Sequence, residues 1–178
     1  MRANDAKQTA KKCVEANVDK STLALFWKQW SGYQGRLKET LEPLTDEQLA
    51  LRAAPGLRSL GEVAAHIVAS RAWWLYAFLG EGSRDLEPLI HWDDPDAPPR
   101  SATELLTGFD LTWQVIIGCL SRWSDADMQQ TFPLDEEDGR HSDLSRSYVA
   151  WHMLQHDLLH GGEIAITFGV HGMETSYM

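Results

Sequence analysis

Four stretches of the chain repeat apolar residues every three or four positions, the spacing that gathers them on one side of a helix. The first runs from Leu23 to Leu41 through Phe26, Trp27, Trp30, Tyr33 and Leu37, and Pro43 ends it. Thr45 and Gln48 form a capping box for a short turn, Asp46 to Leu51, before Ala54-Pro55-Gly56 breaks the chain. A second box, Ser59 with Glu62, opens a helix that the pattern carries to about Leu79 through Val63, His66, Ile67, Ser70, Trp74 and Phe78. A third, Ser101 with Glu104, opens one through Leu105, Phe109, Trp113, Ile116 and Leu120. The last starts near Ser142 or Asp143, carries Leu144, Tyr148 and Trp151, and ends around Gly169. No stretch of strand-like alternation competes with these four.

Amphipathic helices of this length bury their stripes against one another, which predicts an all-α four-helix bundle occupying residues 1–178 as a single domain. The connection Gly80–Arg100, with Pro88, Pro95, Pro98 and Pro99, is long enough to recross the bundle and leave helices two and three parallel. An extended chain covers about 3.3 Å per residue against about 30 Å for a 20-residue helix. The connection Ser121–His141 is equally long, so length alone does not choose the crossover.

Composition narrows the class. A formal charge of −10, with 16 basic residues that form no cluster, repels a phosphate backbone and excludes nucleic acid as the expected partner. The longest apolar run, Ala72 to Leu79, falls far short of the roughly 20 residues that cross a bilayer. Only Cys13 and Cys119 are present and the N-terminal stretch lacks an apolar signal core, so a reducing cytoplasm is expected. The eight tryptophans fall mostly at helical core spacing, for packing or for lining a pocket or interface.

Candidate chemistry lies in the last helix, where His152, His156 and His160 follow one another four residues apart. Two imidazoles at that spacing are displaced by about 6 Å along the axis and point the same way, so they can pinch one ion. His152 and His160, about 12 Å apart by the same rise, cannot share one. One adjacent pair therefore binds a metal, or the ladder is a solvated face. His66, among Ala64, Ala65, Ile67 and Val68, supplies a third ligand if a pair binds, since a buried imidazole needs partners for both nitrogens. The ladder lacks the glutamate of zincins, and the chain has none of the paired Glu-x-x-His motifs of di-iron bundles, which favours a mononuclear site.

The block LTDEQLALRAAPGLRSLGEVAAHIVASRAWW, residues 44–74, and the later WHMLQHDLLHGGEIAITFGVHGM, residues 151–173, resemble the DinB-like metalloproteins. The resemblance implies a four-helix bundle with its crossover between helices two and three, commonly a homodimer, holding a divalent metal such as nickel or zinc through three histidines. By position these are His66, His156 and His160, which leaves His152 a turn outside the site as polar lining or surface. Leu159 and Gly161 depart from the pattern: many relatives carry a histidine and an arginine there.

Glu163, three residues past His160, faces roughly the same side and can orient a ligand or act as general base. Glu62 already has a role as a capping partner, and Asp157 is expected to point away into solvent. The acidic runs Trp92 to Asp96 and Asp135 to Asp138 read as solvated turns. The resemblance implies a metal-dependent transferase acting with a low-molecular-weight thiol and a small-molecule substrate. A hydrolase using the same open coordination position, and a non-catalytic stress-associated metal-binding dimer, are the alternatives.

Overall fold

The structure, a computed structural model, describes residues 22–135 and 139–174. The chain divides into two compact units, Met1–Gly35 and Arg36–Met178. Helix α1, Thr22–Leu41, covers the end of the first and the start of the second. In the first unit the Trp27 and Trp30 rings lie 6.0 Å apart. Cys13 and any helix before Thr22 fall outside the described residues. The second unit carries the remaining elements.

Its elements are mainly helical: α2 (Asp46–Leu49), α3 (Leu60–Ala72), α4 (Ala102–Arg122), α5 (Asp125–Gln129) and α6 (Arg146–Val170). The capping boxes expected at Thr45, Ser59 and Ser101 are all formed. At α3 the Glu62 carboxylate accepts from the Ser59 backbone N–H at 2.8 Å while the Ser59 hydroxyl accepts from the Glu62 N–H. Helix α3 is the core element: it packs against α4 and α6, and Val63, Ala64, Ala65, Ile67, Val68, Ala69 and Ala72 are all buried. Its alanines keep the helix slim enough to be covered on several sides. Past Ala72 it widens into a π-helical stretch, Trp73–Phe78.

The connection after α3 is a 3₁₀ segment, Arg84–Asp93, started by Ser83 and laid back along α3. It brings Asp93 to His66, and beyond it Ser101 and Glu104 share a cavity with Ser59 and Glu62. At the opposite end Glu81, just past the π-helical stretch, bonds Arg122 and Trp123 at the end of α4. Helices α3 and α4 therefore run in the same direction. Helix α6 runs the other way: His66 meets His156 and His160, Arg71 meets Asp157, and Trp74 meets the earlier His152.

Close packing of the returning segment depends on Gly108 of α4. A Cβ there would lie 2.7 Å from the Trp92 ring and 2.8 Å from Val68, so only hydrogen fits between α4, α3 and the segment.

Two expectations are corrected. The connection after α4 contains, besides α5, an antiparallel hairpin of β1 (Thr131–Asp135) and β2 (His141–Ser145), with Phe132 opposite Leu144 and Asp135 opposite His141. Its alternation is weak because Pro133 interrupts one strand and the other is mostly polar; a two-stranded edge tolerates the proline. Since β2 occupies residues 141–145, the last helix begins at Arg146 rather than near Ser142, capped by the Ser145 hydroxyl, which accepts from the Tyr148 N–H at 3.2 Å. The tryptophans also divide: Trp30 and Trp113 are buried, whereas Trp151 is 56% exposed. No helix of the described residues is long and apolar enough to cross a membrane.

Candidate metal centre

Helix α3 carries His66 on the side facing α6, and α6 presents His156 and His160 one turn apart to meet it. The three rings cluster tightly, with centroids 4.8 Å apart for His66 and His156, 4.7 Å for His66 and His160, and 4.2 Å for His156 and His160. One nitrogen from each lies within 4.8 Å of the other two. The closest approach, Nε2 of His66 to Nε2 of His156, is 3.1 Å. Two nitrogens about 2.0 to 2.1 Å from a common cation are separated by a little over 3 Å at a near-tetrahedral angle, so this spacing suits a shared ion.

Carboxylates behind the rings set which nitrogen is bare. His66 Nδ1 lies 2.5 Å from Asp93 Oδ2, and His160 Nδ1 lies 3.0 Å from Glu163 Oε2. A carboxylate accepts only, so each Nδ1 carries the proton and each Nε2 keeps a lone pair, that of His66 facing the Nε2 of His156. His156 Nδ1 is buried and has no hydrogen-bond partner among the described residues.

For His66 and His156 the electrostatics favour uncharged rings. Burial pushes the His66 pKa down, the hydrogen bond that its Nδ1 donates to Asp93 opposes this, and the nearby Arg58 charge lowers it again. His156 is pushed down to about 3 by burial, then by His160 and His66. Neutral imidazoles that cannot readily take a proton can relieve their crowded lone pairs on a cation. The residues present fit a divalent metal.

The structure thus brings His66, His156, His160 and Glu163 together and leaves His152 half-buried one turn away, its ring 6.0 Å from that of His156. Two expectations fail. Asp157 does not face solvent: it is fully buried, and its carboxylate accepts from Arg71 Nε at 2.9 Å and Nη2 at 2.6 Å. Phe109 and Trp113 of α4 flank that guanidinium, 5.2 and 5.9 Å from their ring centres. Nor is the acidic run at 92–96 merely a solvated turn, because Asp93 is the partner of His66. No spacing rule could pair Asp93 with a histidine 27 residues earlier; only the returning 3₁₀ segment does so.

Helices α3 and α6 joined by a three-histidine cluster define a class: helical proteins with a nitrogen-donor pocket able to hold one metal ion. The model of the DinB superfamily matches residues 29–164. The chain belongs to the DinB superfamily. Among solved structures it is similar to a DinB-like protein from Bacillus cereus ATCC 10987, at 24% identity and a TM-score of 0.61, over 84% of this chain and 93% of that one. It is also similar to a conserved protein from Enterococcus faecalis, at 13% identity and a TM-score of 0.63, over 85% and 98% of the two chains. A third, assigned to the DinB family from Exiguobacterium sibiricum 255-15, gives 14% identity and a TM-score of 0.59 over 90% and 100%. At these identities the likeness is one of fold. No curated protein matches the chain.

Proposed function

We propose that the chain holds one divalent ion, nickel or zinc, on His66, His156 and His160, and that it is an enzyme transferring a low-molecular-weight thiol to a small electrophile. The observation that carries this reading is the convergence of three imidazoles, two of them held by carboxylates in the tautomer that donates inward. An all-nitrogen set suits nickel or zinc, and three protein donors leave a position open for a reactant. A bound ion supplies Lewis acidity, lowering the pKa of a thiol or water that reaches it.

The remaining work falls to the chain. Asp93 and Glu163 keep the protons of His66 and His160 on Nδ1. Of the two roles open to Glu163, orienting His160 fits its contact at 3.0 Å; a general base would need that carboxylate free.

The same reading takes the molecule to be a four-helix bundle crossing over through Gly80–Arg100, working as a homodimer in the cytoplasm. Support for the dimer comes from α6: Trp151, Leu158, Leu159, Ile166 and Val170 are exposed and, at about 100° per residue, fall within a third of its circumference. Sedimentation velocity tests this, with a dimer expected and a monomer at micromolar concentration against it.

Elemental analysis of the purified protein and of His66→Ala, His156→Ala and His160→Ala tests the centre, coupled to consumption of a thiol in the presence of an electrophile. Stoichiometric metal in the parent protein and its loss in each variant are expected. Full metal content in all three variants would remove the ligand assignment; a metal-loaded parent protein that consumes no thiol would remove the transferase.

A further inference from the structure

A run of aromatic rings leads away from the histidine trio. His152 is 6.0 Å from His156 on one side and 4.9 Å from Trp74 on the other, and it lies nearly parallel to Tyr148 at 6.0 Å with 13° between the ring planes. Trp74 meets Trp73 edge-on at 4.8 Å and Phe78 at 5.2 Å, and Phe78 reaches Phe132 of β1 at 6.0 Å. These rings come from two distant parts of the chain, the π-helical stretch on one side and the hairpin with α6, which follows it directly, on the other.

They do not close into a core. Trp73, Trp74, Phe78, Phe132 and His152 are only half-buried, and Tyr148 is 46% exposed. His152 adds a polar signal: among the described residues, no group hydrogen-bonds either of its ring nitrogens, although His66, His91, His141, His160 and His171 each have a carboxylate or carbonyl partner. A π-helical stretch gives up regular helical bonding, and such stretches occur frequently at functional sites. Here it follows directly on the helix that carries His66.

We propose that these rings form a stacking subsite for a planar aromatic group on the small molecule that reaches the histidine trio, with a ring nitrogen of His152 hydrogen-bonding a polar substituent beside that group. This deepens the reading above and rests on it in one respect, that a small molecule is what approaches the trio. Partly exposed aromatic rings reward a partner with its own quadrupole beyond the area it buries, so an aromatic ligand is preferred to an aliphatic one of equal size. Four residues, about 6 Å along the helix axis, separate His152 from His156, so the ring is joined to the reacting atom by a short link, as in a benzyl group. Arg146 already lies over the Phe132 ring at 5.1 Å, which selects against a cationic ligand.

Benzyl alcohol and cyclohexylmethanol, alike in size and differing in aromaticity, are the probes. Each is titrated into the full-length, metal-loaded protein while the indole N–H resonances are followed by NMR, Trp74 being assigned with Trp74→Phe. Benzyl alcohol should shift the Trp74 signal and bind about threefold to tenfold more tightly than cyclohexylmethanol, the range expected of one aromatic contact. His152→Leu should remove most of that preference, and His152→Gln, which keeps a hydrogen-bonding group, should retain tighter benzyl alcohol binding than His152→Leu. His160→Ala should lose metal yet keep the preference, because the subsite is built from other rings; a failure of the metal assignment is thus read separately. Equal binding of the two alcohols, shifts confined to other tryptophans, or no response because a second copy seals Trp74 would each overturn the proposal.

Discussion

Asp157 lies one residue past His156, yet its side chain is turned inward to a buried guanidinium. The pair ties α3 to α6 five residues along α3 from His66, next to the clustered histidines of both helices, and fixes their relative register. Removing one partner leaves a buried charge without its counterion, so Asp157→Ala or Arg71→Ala should lose about 3–5 kcal/mol of unfolding free energy in urea titrations. The double variant Arg71→Met/Asp157→Leu should recover most of that loss, since an apolar pair of similar volume replaces the ions without stranding either. Recovery that fails would mean the pair contributes something beyond mutual neutralisation. Asp93 and Glu163 act differently, by holding tautomers. Asp93→Asn and Glu163→Gln should weaken metal binding about 10- to 100-fold in chelator competition while leaving the far-ultraviolet circular dichroism unchanged. At this scale the histidines were legible because an i,i+4 ladder and a lone histidine on an apolar face are local patterns. Asp157 was not, since its direction is inward only because α3 supplies Arg71 and α4 supplies Phe109 and Trp113 around it.

The elements divide in the same way between local and distant causes. Capped amphipathic helices could be read directly from the chain, because a Ser-x-x-Glu box and a 3.6-residue period are complete within a few turns. The returning 3₁₀ segment and the hairpin could not: Pro88 and Pro133 interrupt their patterns, and the segment takes its place from its packing along α3. Gly108 shows how tightly the segment is held. Gly108→Ala should cost about 1–3 kcal/mol by overpacking, and because the displaced ring is Trp92, next to Asp93, it should also weaken metal binding. A stability loss with unchanged metal affinity would separate the packing of the segment from the orientation of His66. In the hairpin, the hydrogen bond to Asp135, followed by its charge, raises the His141 pKa above the usual histidine value. Because the folded value is the higher one, this pair supports the hairpin below about pH 6.5 and the support is lost as pH rises through the raised pKa. Proton NMR should place the His141 midpoint above 6.5, and Asp135→Asn should bring it back.

Across the second unit the histidine trio spans the antiparallel helices α3 and α6, both of which also contact other elements of the core, and a bound ion would cross-link them. A ligand that binds only the folded form stabilises it by the logarithm of its concentration over its dissociation constant, about 4 kcal/mol at a thousandfold excess. The unfolded chain scatters His66 from His156 by 90 residues and cannot match that affinity. In a domain of this size each kcal/mol moves the midpoint by about 2–4 °C, so stripping the ion with a chelator should lower Tm by roughly 10 °C. Restoring nickel or zinc should raise it again in proportion to the logarithm of free metal. His66→Ala should already melt near the chelated value and show no further response. Were the parent protein to melt identically with and without chelator while retaining one tightly bound ion, the ion would be held without coupling to the packing of α3 on α6. The convergence of their imidazoles could then not be what holds it.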